Sequence, residues 1–131
     1  MSFFDEISAA HQAARNEQIR IEQERIYRAT HLNDEDRRAI ERVKAICTNP
    51  DLRPKILQAA ESLHGGYDIY NGDDLMPLRH LNYYIRLDII NDIRQYILEH
   101  YGSKFRVSYS DQTCGGYGDS LKDATFTLGW D

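Results

Sequence analysis

The sequence predicts a mainly helical α+β domain of about four helices, closed by a C-terminal antiparallel β-hairpin. Three observations predict it. Apolar residues recur at helical spacing through most of residues 4–101, and capping and helix-stopping residues sit at the ends of those stretches. After residue 104, two short runs change to strict alternation. The chain of 131 residues, 41% hydrophobic and 28% charged, suits one domain over 1–131 that needs neither metal nor disulfide to fold.

Residues 4–30 read as one long helix, rich in alanine and free of glycine and proline, with Glu22–Arg25 and Glu24–Arg28 as supporting charge pairs. Its apolar stripe is thin: Ile7, Ala10, Ala14 and Ile21 share one face, and Ile19 and Ile26 form a narrower second one. A helix this polar either projects or packs against another helix, a second copy of itself included. It has too few apolar heptad positions for a coiled coil. The compact body follows over 33–131.

Asn33 is placed to cap a second helix, with Asp34, Glu35 and Asp36 in its first turn and Asn49-Pro50 at its end. A third helix begins at Asp51, tolerates Pro54 in its first turn and stops at Gly65-Gly66. The second and third helices are expected to form an αα-hairpin. Residues 65–74 read as an ordered loop around the Asn71-Gly72 turn, although Tyr67–Tyr70 could pair as a short strand. The fourth and most apolar helix is expected to start at Pro77 and to end at His100 and Gly102, presenting Leu78, Leu81, Ile85, Ile89, Ile93 and Ile97. Phe105, Val107 and Tyr109, then Ala124, Phe126, Leu128 and Trp130, alternate as two strands whose apolar face must lie on that central helix.

The net charge of −5 belongs to residues 56–131, because residues 1–55 are balanced. The N-terminus has neither a basic nor an apolar signal region, and no apolar run reaches the ~20 residues of a membrane span. Two distant cysteines, Cys47 and Cys114, make no disulfide framework. The expected location is therefore cytoplasmic.

Few residues suggest a chemistry. The loop 111–119 sets Cys114 beside Gly115, Gly116 and Gly118, an arrangement that would suit a nucleophile, but it lies between strands and no base can be placed next to it. Asp88 and Asp92 lie one turn apart and read as the polar margin of the central helix. His11, His31, His64, His80 and His100 are each solitary, and no metal-ligand spacing or cofactor fingerprint occurs, so neither metal nor cofactor is expected. Arg37, Arg38, Arg42, Lys44, Arg53 and Lys55 could meet phosphates. The acidic residues interleaved with them and a pI of about 5.5 make direct nucleic-acid binding the weaker reading.

Tyrosine is the strongest signal. Tyr67, Tyr70, Tyr83 and Tyr84 lie around Asp68, Asp73 and Asp74, and aromatic anchors among carboxylates suit a basic protein partner such as a nuclease. The leading expectation is a small, non-enzymatic regulator or inhibitor that binds through these seven residues, with the N-terminal helix as a second contact or a route to homo-oligomers. Immunity proteins and phage-encoded inhibitors are of the same physical type, which is an analogy alone. The alternatives are a nucleic-acid-associated protein using Arg37–Lys55 and an enzyme with Cys114 as nucleophile.

Overall fold

The computed structural model describes residues 2–112 and 120–130, and the chain divides into two units, one ending at His31 and one beginning at Leu32. The first is a single helix, α1 (Phe3–Thr30), in which no residue is buried. Ser2 and Asp5 close a reciprocal capping box at its start. At its end the Thr30 hydroxyl donates to the Ile26 carbonyl, and His31 stacks on Tyr27 with ring centroids 3.9 Å apart. Between the caps, Arg20 bridges Glu17 and Glu24, and Arg25 pairs with Glu22. The Arg20 guanidinium also holds the Glu17 carboxyl below its ordinary range. The helix is thus supported by its own side chains.

The second unit combines helices with a three-stranded antiparallel sheet, which establishes the α+β class. Its elements are α2 (Asp34–Cys47), α3 (Leu52–Glu61), β1 (Gly66–Gly72), a 3-10 turn (Met76–His80), α4 (Tyr83–Tyr101), β2 (Arg106–Ser110) and β3 (Ala124–Gly129). The sheet order is β1-β3-β2, so the expected hairpin of β2 and β3 gains a third strand. That strand replaces the loop expected over 65–74. It pairs Tyr67 with Leu128 and Tyr70 with Phe126, with an irregularity between Asp68 and Tyr70 that lets Ile69 and Tyr70 both be buried.

Two further expectations change. The helix expected from Pro77 is two elements: Pro77 belongs to the 3-10 turn, Leu81 is extended, and α4 starts after Asn82, whose side chain accepts from the Ile85 N–H. α2 packs on α4, β1 and the 3-10 turn, whereas α3 packs on β1, so the two helices serve the sheet more than each other. Asp51 makes no side-chain cap bond at α3.

One face of the sheet is apolar. Ala124, Phe126 and Leu128 of β3, Val107 and Tyr109 of β2, and Tyr70 of β1 join Ile89, Ile90, Ile93 and Ile97 of α4 in the core, with Val43 and Cys47 from α2. The other face is polar: Thr127 donates to Asp68 at 2.6 Å, and Asn71 donates to Thr125 at 2.7 Å. At the outer side of β2, the Arg94 guanidinium of α4 donates to the Val107 carbonyl at 2.9 Å. No described helix is long and apolar enough to cross a membrane.

Candidate interaction surfaces

The tyrosines and aspartates singled out in the sequence do not form one surface. Tyr70 is buried, and its hydroxyl donates to Asp74 at 2.7 Å while accepting from the Asp74 N–H. Asp74 also meets Arg42 at 3.3 Å. Asp73 accepts from the Asp123 N–H, tying the end of β1 to the start of β3. Asp68 is held by Thr127 on the polar face of the sheet. Tyr67 is half-buried and lines an open cleft with Asp68, Lys55, His64 and Gln58. Tyr83 and Tyr84 stand edge to face at the start of α4, centroids 5.5 Å apart, with Tyr84 76% exposed. Asp68, Tyr70, Asp73 and Asp74 are therefore occupied by their own fold, Tyr67 is half-covered, and the exposed aromatic area lies on Tyr83 and Tyr84.

The basic residues are also divided. Arg37 pairs with Asp34, Arg42 with Asp74, and Lys44 with Glu41 while lying over the Tyr96 ring. Arg38, Arg53 and Lys55 have no carboxylate within 4 Å among the described residues. Three of the six charges are thus neutralised locally, which weakens a phosphate-binding face. Cys114 lies outside the described residues. Asp88 and Asp92 are exposed on α4.

One constellation escaped the sequence. Asp36 is 0% exposed, accepts from the Asn33 N–H in the capping box of α2, and meets His80 Nε2 of the 3-10 turn at 2.6 Å. Its Oδ1 has no hydrogen-bond partner among the described residues. The two residues stand 44 positions apart, so no local spacing could reveal the pair. Its evident effect is to fasten the 3-10 turn to the start of α2. Among the described residues no group of three or more His, Cys, Asp or Glu is placed to hold a metal.

Cys47 is buried, and its desolvated thiol is pushed up to about 12. A thiol kept protonated in this way is a poor nucleophile. In a Cys114→Ser variant, Cys47 is expected to resist maleimide in native buffer and to label promptly in denaturant. Native labelling at the rate of a free cysteine would refute this burial.

Among the described residues, two further apolar surfaces are left uncovered by their own unit. The first is α1, where Phe3, Phe4, Ile7, Ile19, Ile21, Ile26 and Tyr27 are all more than half exposed. The second is a groove of about 650 Å³ between α3 and the end of α4, lined by Ile56, Leu57, Tyr101, Phe105 and Leu128 together with Arg53 and His100. Comparison with known protein families, characterised proteins and solved structures finds no match to this chain.

Proposed function

We propose that this protein is a small, non-enzymatic regulator that acts by occupying a protein surface, with α1 as its principal contact. One observation carries the reading: α1 spans 28 residues, buries none of them, and is closed at both ends by its own side chains. A helix shown to water with seven large apolar side chains is a binding element awaiting a groove. Capping and ion pairs pre-order it, which lowers the entropy lost on docking. Tyr83 and Tyr84 supply a second exposed aromatic contact.

The experiment is site-specific photocrosslinking from position 4 of α1 in the cells that make the protein, with position 35 of α2 as control. Adducts to protein at position 4 that vanish on Ile7→Glu support the reading. Adducts to nucleic acid, or no adduct above the control, would overturn it. A nucleic-acid-binding role instead requires affinity that falls steeply with salt and depends on Arg38, Arg53 and Lys55.

A further inference from the structure

We infer that the first turn of α1 docks in the α3–α4 groove of a second copy of this chain, so that two copies exchange their N-terminal helices. The inference rests on the reading of α1 as a docking helix and names its occupant. At about 100° per residue, Phe3, Phe4 and Ile7 fall within one arc of roughly 100°, and Phe3 and Phe4 are 76% and 73% exposed. Asp5 and Glu6 flank that arc, making an apolar knob between two carboxylates.

The groove has the complementary character. Its lining is mostly apolar, includes Leu57, which is 56% exposed, and carries the basic side chains Arg53 and His100. No carboxylate is among its described lining residues. A volume of about 650 Å³ lies within the range that accepts a cluster of large side chains. An apolar knob with acidic edges thus has an apolar socket with basic side chains in the same sequence.

Pairing α1 with α1 is a poorer solution. The heptad stripe through Phe3 continues as Ile7, Ala10, Ala14, Glu17, Ile21, Glu24 and Arg28. Parallel copies would set Glu17 against Glu17 and Glu24 against Glu24. An antiparallel pair would set Phe3 against Arg28 and Ile7 against Glu24. The knob-in-groove contact has neither defect. Because each copy both gives a knob and offers a groove, it closes as a two-fold dimer that removes six large apolar side chains from water.

The test is sedimentation equilibrium of the full chain over a wide micromolar range, with Glu6→Arg, Arg53→Glu and the double variant. The wild type is expected to pass from monomer to dimer as concentration rises. Each single reversal is expected to weaken the dimer about tenfold, and the double variant to regain most of the affinity. Recovery in the double variant also excludes misfolding as the cause of the single losses. A monomer at every concentration, a dimer insensitive to both reversals, or loss without recovery would each overturn the exchange. If position 4 nonetheless crosslinks to a different protein, the docking role of α1 stands and only its partner changes.

Discussion

Raising the pH above about 9 is expected to destabilise residues 32–131 steeply, by about 4 kcal/mol per pH unit once the pH exceeds the ordinary phenol range near 10. Three buried acids cause it. Burial pushes the Cys47 thiol up to about 12. Tyr70 is raised by burial and then by its bond to Asp74. Tyr109 is raised by burial and then by the charge of Asp111, whose Oδ2 it meets at 3.1 Å. All three keep their protons in the folded state at a pH where the unfolded chain has lost them. The unfolded state then binds fewer protons, so stability is whole below the unfolded values and falls as the pH climbs towards the folded ones. Each group contributes a slope of about 1.4 kcal/mol per pH unit, a large fraction of the ~5–15 kcal/mol that holds a domain together. Partly buried Tyr101 is raised in the same direction. Urea midpoints between pH 8 and pH 11, followed with tyrosinate absorbance, measure the effect. Tyr109→Phe should remove about one proton's share of the slope. A stability profile flat through that range would contradict the burial of these groups.

Asp36→Ala is expected to cost about 2–3 kcal/mol, a large loss for a single side chain in this fold. The carboxylate is fully buried, caps α2 and holds His80 at 2.6 Å. Its removal leaves the Asn33 N–H without its acceptor, takes away one partner of His80 and opens a gap at the start of α2. Asp36→Asn keeps the volume and one acceptor oxygen, and should cost less. His80→Ala should be non-additive with Asp36→Ala, because the two changes remove the same contact. Urea unfolding of the three variants gives these values. A loss below about 1 kcal/mol for Asp36→Ala would show that the pair does not fasten the 3-10 turn to α2.

Local signals located most of the helices and two of the strands. Asn33 caps α2 as its position suggests, Gly102 closes α4 with φ 118, and alternation in β2 and β3 matches their buried and exposed sides. The thin stripe of α1 corresponds to a helix that buries nothing. A strand over Tyr67–Tyr70 stayed the lesser reading because the irregularity of β1 buries Ile69 and Tyr70 in succession, which breaks the period of two. The break at Leu81 was hidden because Leu78, Leu81 and Ile85 keep helical spacing across it, leaving Asn82 as the local signal. The burial of Tyr70 was hidden for a related reason: whether a phenol faces water or an aspartate four residues away depends on strand pairing. The groove joins α3, α4 and β3, and only tertiary structure assembles it.

The Arg94 guanidinium on the Val107 carbonyl has a consequence for how copies can meet. A terminal strand with free backbone groups invites another strand, and the end point of that growth is a fibre. Here the Arg94 guanidinium takes up one carbonyl of the terminal strand β2, so that group is already bonded and is a poorer site for an incoming strand.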